Sequence, residues 1–190
     1  GRVSGAALSD GREIAVDFVI VGVGITPQSD IAEAAGLTVE NGIQVNAFGQ
    51  TSDPAIWAAG DCAVFPYKDG KLRLESVQNA IDQAEAVASN ILGAEQAYIP
   101  QPWFWSDQYD VKLQIAGLNT GYDSIVTRAA LDEPNLVSFW YYQGDRLLAV
   151  DAMNDPRAYM VGKRLIENGN SPAPAVIADP KINLKSLLKP

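Results

Sequence analysis

The apolar patterning of this chain changes character at Pro100-Gln-Pro102, and that break constrains the fold more than any other feature. Two prolines in three residues remove two backbone donors and fix two φ angles, so neither a helix interior nor a central strand runs through them. Upstream, strand-like runs alternate with helical spacing, as in an α/β arrangement. Downstream, short apolar runs are separated by turn signals, as in an antiparallel sheet. The organisation expected is an α/β piece, a boundary near residue 100, and a small α+β piece made of an antiparallel sheet plus a helix.

In the first piece, residues 2–8 and 13–21 flank Asp10-Gly11, a two-residue hairpin signal. Phe18-Val-Ile-Val21 is continuous and largely β-branched, which predicts a strand buried on both faces. It runs into Gly22-Val-Gly24-Ile-Thr-Pro27. A helix is expected to follow, with Asp30 as N-cap, Glu33 three residues on and Gly36 as the stop. Ile43–Val45 and Ile56–Ala59 read as short strands. Val77, Ala80, Ile81, Ala84, Val87, Ala88, Ile91 and Leu92 recur at helical spacing before Gly93, predicting a long helix.

In the second piece, strands are expected over Val111–Ala116, Ser124–Arg128, Val137–Tyr142 and Arg146–Ala152, the last two joined through Gln143-Gly144-Asp145. A helix is expected to open after Asp155-Pro156 and stop near Gly169. Pro172, Pro174 and Pro180 suggest an extended tail.

The residue inventory removes whole classes of chemistry. Histidine is absent and Cys62 is the single cysteine. This chain therefore supplies no Ser-His-Asp triad, no Cys2His2 zinc site and no C-x-x-C redox pair. No catalytic side chain and no metal ligand set are assigned. A lone cysteine makes a reducing, cytoplasmic setting the default expectation, and Cys62 reads as a small buried hydrophobe. The net charge of −9 argues against nucleic acid and anionic membrane as partners. Residues 1–100 carry 5 Lys/Arg against 13 Asp/Glu, whereas residues 101–190 carry 9 against 10. The longest apolar stretch, Phe18 to Ile25, is too short to span a bilayer.

Three segments invite a ligand. Gly22-x-Gly24 follows a predicted strand, but Pro27 stands where a dinucleotide fingerprint needs its third glycine, so a turn close to a ligand or another strand is the better reading. Ala58-Ala-Gly-Asp61 ends a short apolar segment in a flexible turn and a carboxylate, which either accepts a sugar-type hydroxyl or caps the next turn. Glu75-Ser-Val-Gln-Asn79 opens the long helix, where free N–H groups favour an acceptor-rich ligand and where an acid is also ordinary. Trp103-Phe-Trp105-Ser-Asp-Gln-Tyr109 concentrates aromatics after the proline break, for a core, an interface or a ring stacked on a flavin.

In this order, Val21-Gly-Val-Gly-Ile-Thr-Pro27, Gln50-Thr-Ser-Asp-Pro54, Trp57-Ala-Ala-Gly-Asp-Cys62, Leu74-Glu-Ser-Val-Gln-Asn-Ala80, Pro102-Trp-Phe-Trp-Ser-Asp-Gln-Tyr109 and Gly144-Asp-Arg146 resemble the FAD-dependent ferredoxin reductases of oxygenase systems, over nearly the whole chain. The Ala-Gly-Asp element is shared widely among flavoprotein reductases. Trp-Phe-Trp-Ser-Asp-Gln is far more restricted and decides the subfamily. The resemblance implies the end of an NAD-binding domain (1–21), the returning part of an FAD-binding domain (22–100) and a C-terminal reductase domain (101–190).

The resemblance also assigns roles. Asp61 corresponds to the carboxylate at the FAD ribityl and diphosphate region, and Val77 to the backbone at the flavin pyrimidine edge. Gly24, Glu75 and Ser76 correspond to the nicotinamide side, and Trp105 to the aromatic beside the isoalloxazine. The implied activity takes electrons from NADH through FAD to a [2Fe-2S] ferredoxin that serves an oxygenase or P450. A homodimer is one option for the assembly. The family's glycine fingerprints for adenine and pyrophosphate lie upstream, so this chain alone is expected to be inactive and to lack stoichiometric FAD. Two rivals stand beside this: a flavoenzyme of the disulfide-reductase type, and a non-enzymatic assembly domain related to apoptosis-inducing factor.

Overall fold

The computed structural model describes residues 1–130, 133 and 135–188. The first piece opens with an antiparallel hairpin, β1 (Gly5–Ala7) and β2 (Glu13–Ala15). Its loop is five residues long rather than two, closed by the Leu8 amide donating to Arg12 O at 2.8 Å and the Gly11 amide to Leu8 O at 3.0 Å. The strand expected at Phe18–Val21 does not form. These residues are exposed, Phe18 at 73 % and Ile20 at 85 %, and no strand is paired to them among the described residues. A strand apolar on both faces needs neighbours on both edges and cover on both faces, and none of these lies beside it.

Helix α1 (Asp30–Ala34) follows. Ser29, not Asp30, precedes its first turn, with the Ser29 hydroxyl donating to Glu33 Oε1 at 3.0 Å. Strand β3 (Ile43–Gln44) then pairs in parallel with β4 (Ala63–Tyr67), and β4 pairs antiparallel with β5 (Gly70–Leu72). The strand expected at Ile56–Ala59 is only an isolated bridge from Trp57 to Gln50, and the pairing segment lies a few residues later. Ala63, Phe65 and Val45 form a small core there.

Helix α2 (Val77–Ile91) matches its expected span, with Ser76 as N-cap and Gly93 at a φ of 91° just beyond it. Its orientation inverts the simple amphipathic expectation. Asn79, Gln83 and Asn90 are buried with Val87, whereas Val77, Ile81 and Ile91 face outward. The buried amides are acceptable because each makes at least one hydrogen bond. Gln83 Oε1 accepts from the Gly60 amide at 2.8 Å. Asn90 donates to Phe48 O and Gln96 O and accepts from the Gln96 amide. Asn79 donates to Leu74 O and accepts from the Tyr98 hydroxyl at 3.0 Å.

After the proline break come β6 (Trp103–Gln108), β7 (Val111–Gly117), β8 (Ser124–Ala129), β9 (Val137–Gln143) and β10 (Arg146–Met153). They form one antiparallel sheet in the order β6-β7-β10-β9-β8. Helix α3 (Pro156–Glu167), capped by Asp155 through Ala158 N at 2.9 Å, packs on one face. Trp140, Tyr142, Leu147, Val150 and Ala152 meet Ala158, Tyr159, Val161 and Leu165 in the larger core. Gly162 allows the approach, since a Cβ there would lie 2.6 Å from Val150 Cγ2. The tail is not simply extended: α4 (Pro174–Ala178) and a 3-10 turn over Leu184–Leu188 bring Ile177 and Leu184 into that core. Arg128 holds the tail by donating to the carbonyls of Ile177, Asp179, Pro180 and Ile182.

Candidate functional site

The site grows from the turn at Gly60–Cys62, a single 3-10 turn directly before β4. Gly60 has a φ of +80°, which favours glycine, and a Cβ there would come 3.5 Å from Ala80 Cβ. Its amide is held by Gln83 from the middle of α2. The turn is thus seated on the helix, and Asp61 within it is exposed. Cys62 is partly buried, with its thiol 3.5 Å from Ala59 O.

Arg73 joins the turn to the helix entry. Its guanidinium donates through Nη1 to the Asp61 carbonyl at 3.0 Å and pairs through Nη2 with Glu75 Oε1 at 2.8 Å. Ser76 caps α2: its Oγ accepts from the Asn79 amide and donates to Trp103 O at 3.2 Å, tying the helix start to β6. Val77 occupies the first turn, 61 % exposed. No partner receives its amide or that of Gln78 among the described residues, so the positive end of the helix faces outward with donors free.

Trp105 belongs to the same region through Trp103. The two rings stack with centroids 5.4 Å apart and planes inclined by 29°, and Lys163 Nζ lies 5.1 Å from the Trp103 ring. Trp105 itself remains 41 % exposed. Tyr98 supports the helix from below, its hydroxyl pushed up to about 12 by burial and by the nearby Asp82 charge. It is therefore a neutral donor to Asn79 at ordinary pH.

Asp61, Glu75, Ser76 and Val77 are thus gathered along one edge, with Trp105 attached by ring stacking. No hydrogen bond joins Gly24 to them among the described residues. It has the expected left-handed φ, +103°, but lies in the exposed segment after β2, with nothing within 4 Å of where a Cβ would sit. A cleft of about 640 Å3 lies between β8, the start of α3 and the tail, and none of the six residues lines it. Two contributors escaped the sequence reading. Arg73 was signalled by the Arg-x-Glu spacing, which places both side chains on one side of an extended segment. Gln83 looked like an ordinary polar residue of an exposed helix face.

Two family models cover most of the chain. The pyridine nucleotide-disulphide oxidoreductase model matches residues 2–84, and the reductase C-terminal model matches residues 103–188. Putidaredoxin reductase of Pseudomonas putida is 41 % identical over 98 % of this chain and 44 % of its own length. A ferredoxin–NAD(P)+ reductase of a Sphingomonas species is 42 % identical over 100 % of the chain and 46 % of its own length. Among solved structures, the ferredoxin reductase for the CYP199A2 system of Rhodopseudomonas palustris superimposes with a TM-score of 0.90 at 42 % identity, over 97 % of this chain and 46 % of that one. The chain therefore belongs to the ferredoxin reductase family and aligns with its C-terminal half. It spans about half the length of the curated relatives it matches.

Proposed function

We propose that the protein carrying this chain is an FAD-dependent reductase that takes electrons from NADH and delivers them to a [2Fe-2S] ferredoxin serving an oxygenase or P450. Within it, residues 1–21 end the NAD-binding domain, 22–100 return to the FAD-binding domain, and 101–190 form the C-terminal domain. The observation that carries this reading is the set of contacts that joins the Asp61 turn through Arg73 to Glu75 at the start of α2, and Ser76 there to Trp103 and its stacked partner Trp105.

That donor and acceptor set fits FAD. A carboxylate is the acceptor suited to cofactor hydroxyls, and free helix amides are the donors suited to the oxygen-rich edge of a flavin ring. When bound, FAD supplies the redox chemistry, and the protein supplies geometry and electrostatics. Asp61 anchors the hydroxyl-bearing part. Val77 presents its amide to the ring edge, and Ser76 keeps that amide in place by capping the helix. Trp105 covers the ring from the β6 side and excludes water. Glu75 orients the nicotinamide. No side chain here is required as acid, base or nucleophile. The disulfide-reductase alternative gains nothing from this half, which holds one thiol and no histidine.

The test is spectroscopic. The full-length protein is expected to purify with a flavin absorbance that NADH bleaches and that ferredoxin restores. Asp61→Ala should weaken FAD retention by the worth of a charge-assisted hydrogen bond, about 1.5–3 kcal/mol. Unchanged flavin affinity in that variant removes Asp61 from the site.

A further inference from the structure

Arg73 is the one buried guanidinium that touches two of the residues assigned to the cofactor edge. Its side chain is only 9 % exposed, and its stem runs under β3, where Cδ lies 2.9 Å from where a Gly42 Cβ would sit. One terminal nitrogen holds the carbonyl of Asp61, and the other holds the carboxylate of Glu75. Arg73 lies 12 positions after Asp61, with the whole β4–β5 hairpin between them, so neighbourhood in sequence does not place them together. Nε is the sole buried side-chain polar atom without a partner among the described residues. Burying a guanidinium with one donor unsatisfied is costly, and the two contacts it does make offset that cost only if held in a fixed geometry.

We infer that Arg73 is a positioning residue: its planar fork sets the Gly60–Cys62 turn and the Glu75 carboxylate at a fixed separation on either side of the α2 N-terminus. The inference rests on the proposed reductase function. A guanidinium suits the task because its two terminal nitrogens diverge in one plane, so a carbonyl and a carboxylate are held at once. A lysine reaches one partner and leaves the other. Glu75 paired in this way is held at the helix entry, and the Asp61 turn is held down at its carbonyl while its carboxylate stays free for a ligand.

The experiment uses the full-length flavoprotein with Arg73→Met, Arg73→Lys, Glu75→Gln and the double variant Arg73→Met/Glu75→Gln. FAD content, visible spectrum, thermal midpoint, and KM and kcat for NADH oxidation are measured for each. The expected result is retained FAD, a shifted flavin spectrum and a KM for NADH raised about tenfold in Arg73→Met, the equivalent of one lost charge-assisted contact. Arg73→Lys should recover part of the KM effect, and the double variant should be no worse than Arg73→Met, because both changes remove one pairing. A lowered thermal midpoint with spectrum and KM unchanged makes Arg73 a stability residue only and overturns the inference, as do additive KM effects. If Arg73→Met does not fold, Arg73→Lys and Glu75→Gln decide: an unshifted spectrum and KM in both overturns it. A parent protein that holds no flavin overturns the proposed function, and this inference with it, before any variant is made.

Discussion

Residues 18–25 and residues 137–152 are both strongly apolar, yet one run lies bare and the other forms a core. Ile20 is 85 % and Val23 89 % exposed, whereas Trp140 and Val150 are completely buried. The difference is in where each strand's partners lie along the chain. β9 and β10 are joined by a short hairpin, and β7, β8 and α3 follow or precede them closely, so both edges and the core face are met locally. A run apolar on both faces belongs to a sheet of the parallel kind, whose neighbours come from distant crossovers. The lesson is that apolar content states a demand for burial, while topology decides whether a given stretch of chain can meet it.

The largest test of that contrast is Trp140→Ala. Removing a completely buried ring whose Nε1 donates to Ser138 Oγ should cost about 3–5 kcal/mol, read as a lower denaturant midpoint. Gly162→Ala should cost less, about 1–3 kcal/mol, because the new methyl group must push α3 away from Val150. A neutral outcome there would show that the helix is not seated directly on β10.

A pH-dependent effect comes third. Asp151 on the sheet's other face accepts from the Tyr141 hydroxyl at 2.7 Å, and burial raises its carboxyl above 3.8 even though that hydrogen bond pulls it down. A carboxyl protonated more readily in the folded state favours folding at low pH, and the contribution is lost as pH rises through the raised value. Asp151→Asn should therefore flatten a fall in stability that the parent shows on going from below pH 3.8 to neutral. Denaturant titrations at the two ends of that range check it.

The smallest effect is expected in the bare run. Ser in place of Phe18 or Ile20 should leave the unfolding of this chain unchanged within about 0.5 kcal/mol. The same substitutions in the full-length protein should be destabilising if the run gains its neighbours there. Equal and large losses in both settings would collapse the contrast between the two regions.

Strands β7 to β10, the helix α3 and the span of α2 were all legible, because their signals are local: alternation, a Gly-Asp loop, a Pro after an Asp cap, glycine just past a helix. Strand β6 was not read as a strand, since its three aromatics fit several environments equally. The β4–β5 hairpin carries no clean strand signal, since Pro66 sits inside β4 and prolines ordinarily demote a strand. For the site, Asp61, Glu75, Ser76, Val77 and Trp105 were recognisable from motif order, whereas Arg73 and Gln83 were not, because their partners lie 12 and 23 residues away.

The sequence by itself determined the two-part organisation, the absence of histidine and thiol-pair chemistry from this chain, and the family. Those follow from composition, breaks and motif order, which need no third dimension. Only the tertiary structure decided which face of α2 is inside. By periodicity the apolar stripe should be buried, but Gln83, Asn79 and Asn90 find hydrogen-bond partners in the segments before and after the helix, so the amide face turns inward. That choice depends on contacts between distant segments, and it is what sets the Gly60 turn against α2.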